Sequence, residues 1–431
     1  MDKIVSLCKR RGFIFPGSDI YGGLANTFDF GPLGVELANN IKKSWWKNFI
    51  QDRKDMYGLD GGILMNPKVW EASGHTTGFI DVLSDCKKCH KRFRVDQIED
   101  KEKCSECGGQ LTEPRKFVPM FKTFIGPVED ETAVAYLRPE TAQAIFVNFK
   151  NILDSFHPKL PFGIGQIGKA FRNEITLGNF IFRKLEFEQM EIEYFVRSED
   201  WEKYFAEWKE QIESWFINLG AKKENIKWRE HDKEELAHYS KKTEDLEYNF
   251  PFGGFKELYG LAYRTDFDLR NHSEKSDKDL KYTDPKTNEK FYPHIIEPSF
   301  GLERTMLAVL SEAYCEEEVK GEKRIVLKFK PSISPVKVAV FPLLANKSEL
   351  VEKAKEVYEI LKKNFVTAWD ERGNIGKRYF AQDEAGTPFC LTIDFDTLQD
   401  NSVTVRDRDT TQQERIKIDE LIQYLNQRIN N

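Results

Sequence analysis

FRNEITLGNFIFRKLEFEQMEIEYFV, residues 171–196, carries most of what the sequence says about this chain. Its second half alternates: Met190, Ile192, Tyr194 and Val196 give an apolar side, while Gln189, Glu191 and Glu193 point the other way. That pattern predicts a strand over 186–196 with one face on a core. The acidic face then needs a ligand, a partner or water. In the first half, Arg172 and Glu174 stand two residues apart, which on a strand sets a cation and an acceptor on one face. Such a pair can hold a phosphate and a base edge together. Arg183 and Phe187 follow after a loop.

Further along, the strand-like Ile295-Ile296-Glu297 leads into Gly301-Leu302-Glu303-Arg304, which opens a helix-like run. A glycine at a helix start permits close backbone approach, and an arginine one turn in can reach a phosphate. Upstream, Leu37, Ile41, Trp45 and Phe49 recur every four residues, so one helix presents a large apolar stripe, read as a dimer surface. Ser273 to Lys290 is charged and aperiodic, an exposed loop or hairpin. From Pro335 short apolar strands alternate with amphipathic helices near 348–363, 376–384 and 412–428. This predicts an α/β unit with a mainly parallel sheet, and PSISP marks a boundary at 334/335.

Composition sets outer limits. At 431 residues the chain is long enough for two to three domains. Its 40% hydrophobic and 32% charged content is that of a water-soluble protein. No run approaches the roughly 20 apolar residues a membrane span needs, and Met1–Arg11 lacks the apolar run of a signal peptide, so a cytoplasmic protein without a membrane partner is expected. A net charge of −6 argues against nucleic-acid binding by bulk attraction, and residues 335–431 carry 14 Lys+Arg against 16 Asp+Glu. Any RNA contact has to be local, with Arg378, Arg406 and Arg408 as candidates.

Residues 85–112 form a short charged insert containing Cys86-x-x-Cys89, fourteen residues, then Cys104-x-x-Cys107. Two thiolate pairs at this separation are a zinc-ribbon arrangement, in which four sulfur ligands fold a segment too small for its own core. A closed S₄ set leaves no open position for catalysis. Cys8, Cys315 and Cys390 are scattered and read as plain thiols.

Together these pieces resemble motifs 2 and 3 of the class II aminoacyl-tRNA synthetases, and the segment ending at Asn66-Pro67 resembles motif 1. Beyond the class, FIFPGSDIYGG (13–23), FGPLG (30–34), NIKKSWW (40–46), LRPETAQ (137–143), RTDFDL (264–269) and HIIEPSFGLER (294–304) are similar to the glycyl-tRNA synthetase family. So are FRNEI and EFEQMEIEYF within the opening stretch, and the resemblance runs from about Arg11 to the C-terminal helix. It implies an α+β fold: an antiparallel-sheet catalytic domain over 1–334 with the cysteine insert, then an α/β anticodon-binding domain over 335–431. It also implies a homodimer that joins glycine to tRNA(Gly) using ATP and Mg²⁺.

Residue roles follow from the same resemblance. Arg172, Arg304 and Glu297 are the expected catalytic groups. ATP is expected against Arg172, Asn173 and Glu174, along Phe182, Arg183, Lys184, Leu185, Glu186 and Phe187, beside Glu257 and Leu258, and over Gly301, Leu302, Glu303 and Arg304. Glycine is expected among Arg94, Glu140, Phe187, Glu188, Gln189, Met190, Glu191, Glu297, Pro298, Ser299, Phe300 and Gly301. Mg²⁺ is expected to bridge phosphates and carboxylates, because a hard cation prefers oxygen. The attacking carboxylate is already ionised, so activation needs no base, and His75 and His272 are read as structural hydrogen-bonding residues.

Overall fold

The computed structural model describes the whole chain except Phe79, Asp96, Gln97, Glu99, Thr176, Leu177, His238, Lys320, Asn430 and Asn431. Helix α1 (Asp2–Arg11) leads through a short antiparallel hairpin, Ile14–Pro16 with Phe28–Phe30, to α2 (Pro32–Trp46), where Pro32 takes the first helical position. Then come β1 (Met56–Leu59), α3 (Ala142–Phe156), β2 (Phe162–Phe171), β3 (Glu186–Val196), α4 (Trp201–Asn218), β4 (Ile226–Glu230) and β5 (Lys242–Phe250). β6 (Gly254–Thr265), α5 (Phe267–Ser276), β7 (His294–Gly301) and α6 (Leu302–Ala313) complete this part. The seven strands form one sheet in the order β4-β5-β6-β7-β3-β2-β1, antiparallel throughout except for the β1/β2 pair.

Alternation along β3 decides what each face of this sheet does. Met190, Ile192 and Tyr194 join Phe300 of β7 in a core closed by α2 and α4. Leu37, Ile41, Trp45 and Phe49 are all 0% exposed within it. Phe49 meets Phe300, Trp215 and Trp208 at ring-centroid distances of 5.3, 5.6 and 5.8 Å. The stripe is therefore not a dimer surface: it is the wall of the molecule's own core, because α4 supplies the aromatic partners that a second subunit would have brought. Gly165 permits this approach, since a β-carbon there would stand 2.3 Å from Ile50 Cδ1.

On the opposite face, Phe195 packs on Phe149 of α3 at 4.7 Å and Phe162 of β2 at 5.0 Å, with Leu269 of α5 in the same cluster. Helices α3 and α5 thus cover one end of that face. Toward the start of β3 the same face carries the fully buried Glu193 and then Glu191, Gln189 and Phe187, and these last three line a cleft. Between Ser273 and Lys290 the chain first finishes α5, then enters a small hairpin of Tyr282–Thr283 with Lys290–Phe291.

The C-terminal part comprises β8 (Val338–Pro342), α7 (Ser348–Leu361), β9 (Thr367–Trp369), α8 (Ile375–Ala385), β10 (Phe389–Ile393), β11 (Ser402–Asp407), β12 (Gln413–Lys417) and α9 (Leu421–Ile429). Its sheet, ordered β9-β8-β10-β11-β12, is mixed: β8 runs parallel to β9 and β10, whereas β10/β11 and β11/β12 are antiparallel. The sheet is therefore not mainly parallel as the sequence suggested, and the last helix starts later than 412, because Gln413–Lys417 pairs with β11 before α9 begins. Sheet pairing overrides local helical pattern here.

Arg378, Arg406 and Arg408 are not available to RNA; they are 2%, 6% and 1% exposed. Arg378 donates to the carbonyls of Pro342, Arg372, Glu371 and Gly373. Arg406 grips Asp383, and Arg408 donates to the carbonyls of Gly386 and Phe329. Each guanidinium consumes its donors on the chain itself.

Candidate active site

The cleft lies over β3, β6 and β7, and its two ends differ in charge. At one end stand Arg172, Arg183, Lys184 and Arg304, with Phe182 and Phe187 as aromatic walls. Arg172 donates to the Pro139 carbonyl at 3.0 Å and has its guanidinium 5.5 Å from the Phe187 ring centre. Arg304 lies 4.4 Å over the Phe182 ring and pairs with Glu257 at 3.0 Å. The Arg304 guanidinium holds the Glu257 carboxyl below its ordinary range. Arg183 stands 3.8 Å from Glu174, and buried Lys184 pairs with Glu303 at 3.2 Å. A polyanion entering here meets several cations already oriented by carbonyls and carboxylates.

At the other end three carboxyls converge, because alternation aims Glu191 of β3 and Glu297 and Ser299 of β7 into the same space as Glu140. Glu191 accepts from the Thr141 amide at 3.0 Å, from the Thr141 hydroxyl, from Gln189 at 2.9 Å and from Ser299 at 3.0 Å. Burial and the neighbouring Glu140 raise its pKa despite these donors. Burial would also raise Glu140, but His75, Arg264 and Gln143 outweigh it and hold that carboxyl low. Glu297 is pushed up to about 8, by burial first and then by Glu191 and Glu140, against the pull of Arg264.

Behind these carboxyls runs a buried polar chain. His75 bonds Ser73 at 2.8 Å and Glu140 at 3.2 Å; Gln143 bridges Glu140 and Asp268 at 3.0 and 3.1 Å; His272 meets Gln143 at 2.8 Å. Arg264, 0% exposed, takes both Asp268 oxygens at 2.8 Å and Glu297 at 2.9 Å, under the Tyr239 ring at 3.7 Å. Burial lowers His272, so it sits there as a neutral hydrogen-bonding group.

Of the residues singled out from the sequence, the cleft brings together Glu140, Arg172, Glu174, Phe182, Arg183, Lys184, Phe187, Gln189, Glu191, Glu257, Leu258, Glu297, Ser299, Gly301, Glu303 and Arg304. It does not bring Met190, Phe300 and Leu302, whose side chains are 0% exposed in the core behind it. Asn173, Leu185, Glu186 and Pro298 are also absent from its lining, and Glu188 turns away to pair with Lys42 at 2.9 Å. Arg94 pairs with Asp81 at 3.0 Å in the cysteine insert. Alternation explains most of these: in a run of consecutive strand residues only every second side chain can face a ligand.

Sequence reasoning missed Arg264, Tyr239, Asp245 and His231. Tyr239, Asp245 and His231 line the cleft, and His231 bonds Asp245 at 2.7 Å. The four-residue spacing of Arg264 and Asp268 inside RTDFDL was the one available signal for the first.

In the insert, three short strands at Asp81–Asp85, Arg92–Arg94 and Arg115–Phe117 support the four cysteines. Their Sγ atoms all lie within 4.8 Å of one another, with Cys86–Cys107 at 3.5 Å and Cys89–Cys104 at 3.7 Å. Cys86 Sγ also accepts from the amides of Lys88 and Cys89, each at 3.4 Å. Among the described residues this is the one group of three or more His, Cys, Asp or Glu side chains with metal-holding geometry.

Residues 124–313 match the family model described as tRNA synthetase class II core domain (G, H, P, S and T), and residues 337–428 match the one described as anticodon binding domain. The chain is 54% identical to the glycine–tRNA ligase of Caldanaerobacter subterraneus subsp. tengcongensis, over 100% of its own length and 98% of the relative's. It is 55% identical to that of Acetivibrio thermocellus, covering 98% of this chain and 97% of the relative, and 51% identical to that of Thermobifida fusca, covering 100% and 98%. A two-ended cleft on an antiparallel sheet, a class II core followed by an anticodon-binding module, and identity above half over the full length place this chain in the glycine–tRNA ligase family.

Proposed function

We propose that the chain activates glycine with ATP in the cleft and passes it to the 3′ end of tRNA(Gly). The observation that carries this reading is the polarity of the cleft, with cations around Arg172 and Arg304 and carboxyls at Glu140, Glu191 and Glu297. A zwitterion lying between them has its ammonium among the carboxyls and its carboxylate toward the phosphates. A glycine carboxylate oxygen attacks the α-phosphorus of ATP and pyrophosphate leaves. A ribose hydroxyl of the terminal tRNA nucleotide then attacks the acyl carbon, and AMP leaves.

In this reading Arg172 stabilises charge on the α-phosphate, Arg183 and Arg304 hold the outer phosphates, Phe187 stacks on adenine and Glu174 meets its edge. ATP enters as its magnesium complex, with Glu257 as the carboxylate nearest the phosphate cations. Rejection of larger amino acids follows from crowding, since glycine has no side chain to grip and only lack of space excludes an added methyl.

The same reading divides the chain at 334/335 into catalytic and anticodon-binding domains and makes it a cytoplasmic homodimer. With the α2 stripe internal, the dimer contact falls to exposed apolar residues such as Ile20, Tyr21 and Leu24. The cysteine cluster fits Zn²⁺: sulfurs about 2.3 Å from a tetrahedral centre are about 3.8 Å apart, near the separations seen here. Zinc would be held by Cys86, Cys89, Cys104 and Cys107 and would supply cross-linking of the insert. A strong thiol-competitive chelator is expected to release one zinc per chain and to make residues 85–112 the first site of limited proteolysis. An unchanged digestion pattern after zinc loss would count against a structural metal.

The direct test is exchange of labelled pyrophosphate into ATP, with Mg²⁺ and each common amino acid in turn. Exchange with glycine alone is expected. Exchange with another amino acid would overturn the substrate, and exchange with none would overturn the activity.

A further inference from the structure

Among the described residues, Glu193, which is 0% exposed, is the buried carboxyl for which neither oxygen has a hydrogen-bonding partner. It follows Glu191 by two residues on β3 and so shares its face. The pairs Glu191 with Ser299 and Tyr194 with Ile296 set it across from Glu297. The carboxyls that line the neighbouring end of the cleft are provided for. Glu191 has its four donors, Glu140 has His75 and Gln143, and Arg264 spends its guanidinium on Asp268 and Glu297.

The charged groups acting on Glu193 are Glu297 from β7, Arg264 from β6, Glu191 from its own strand and Asp268 from α5. On its other side β2 presents the uncharged Ile164. One cation is therefore shared among four neighbouring carboxyls, and a buried ion without a donor is among the costliest groups a fold can hold.

We propose that Glu193 is a positioning residue carried as the neutral acid, which keeps its charge away from the amino-acid end of the cleft, where Glu140, Glu191 and Glu297 already converge on the space for a single ammonium. This rests on the reading of that end as the glycine subsite. A negative charge on Glu193, across from Glu297, would add to the repulsion within this carboxyl group and would draw Arg264 away from Glu297. Burial, and then the charge on Glu297, raise the Glu193 pKa well above the ordinary value, in keeping with this assignment.

The sign of the pH effect follows from proton count. Between the unfolded pKa of about 4.3 and the raised folded value, the folded chain holds one proton more than the unfolded chain. Stability therefore falls as pH rises through this window, by about tenfold in the folding equilibrium per pH unit from this group. Glutamine copies the neutral acid and cannot titrate.

The test compares the full-length parent, Glu193→Gln and Glu193→Ala by thermal unfolding between pH 6 and 9 and by glycine-dependent pyrophosphate exchange. For Glu193→Gln the expected results are a shallower fall of Tm with pH than the parent's and a glycine KM at pH 7 within about threefold of it. Glu193→Ala is expected to raise that KM at least tenfold, so that rescue by glutamine separates the neutral acid from mere volume. Parallel Tm curves for parent and Glu193→Gln would overturn the proposal. So would a glutamine variant that fails to fold or loses exchange a hundredfold, because either outcome means the charge is needed. The slope of Tm with pH reads Glu193 even if the parent exchanges with a different amino acid, so failure of the subsite reading is seen separately.

Discussion

Arg172→Ala is expected to reduce glycine-dependent pyrophosphate exchange by about 10² to 10³-fold, mainly in kcat, with Tm unchanged. The magnitude is that of removing one preorganised group from a centre of developing charge. Arg172 is built for that task by its surroundings: the Pro139 carbonyl fixes one edge of the guanidinium, and the Phe187 face lies 5.5 Å from it. A planar cation so held needs no rearrangement when charge builds on the α-phosphate. Lysine keeps the charge and loses the plane, so Arg172→Lys is expected to recover only part of the rate. If alanine left kcat intact and only raised KM for ATP, Arg172 would be a ground-state contact and the reacting phosphate would lie elsewhere.

The largest stability effect is expected from Asp383→Asn, at about 3–5 kcal/mol in equilibrium denaturation. Asp383 of α8 is 0% exposed and binds Arg324 at 2.9 Å and Arg406 at 2.8 and 3.1 Å. Arg324 comes from the Tyr314–Val319 and Glu322–Leu327 hairpin that follows α6, and Arg406 from β11 of the C-terminal sheet. Asp383 thus bridges two buried guanidinium groups, one from the part bearing the cleft and one from the C-terminal part; Arg324 also pairs with Glu317 at 2.6 Å, whereas the ion pair of Arg406 is with Asp383. An amide keeps the shape but removes the charge, leaving the buried Arg406 without its counter-ion and Arg324 with Glu317 alone.

Glu384, one residue along α8, makes the control. It pairs with Arg10 at 2.9 Å and Arg11 at 2.5 Å of α1, whose side chains are 46% and 31% exposed. Glu384→Gln is therefore expected to cost under about 1 kcal/mol. Equal losses from the two variants would mean that burial of the Asp383 cluster does not set its strength.

Much of the site was legible because its signals are local. The alternation through Gln189, Glu191 and Glu193 needs only the two-residue period of a strand, and Gly301 with Arg304 needs only a strand running into a helix. The cysteine pairs needed only their spacing, since four sulfurs on two tight turns meet whatever surrounds them. Within the stretches singled out, the same period separates side chains that face the cleft from those that face the core. Met190, Phe300 and Leu302 sit among true cleft residues in sequence but point into the core.

What lay beyond the sequence was the identity of each partner. The spacing of Leu37, Ile41, Trp45 and Phe49 fixes an apolar stripe, but not whether α4 or a second subunit covers it. An arginine in the chain reads as surface charge until the fold brings a carboxylate such as Asp383 or a row of carbonyls against it, as happened to Arg378, Arg406 and Arg408. The same holds for Arg264 and Glu193, ordinary charged residues by sequence, whose meaning arises from sharing one buried space. Sequence by itself determined the period of each element and so which residues could share a face. Tertiary structure decided which faces meet, because burial and charge pairing are set by groups tens to hundreds of residues away.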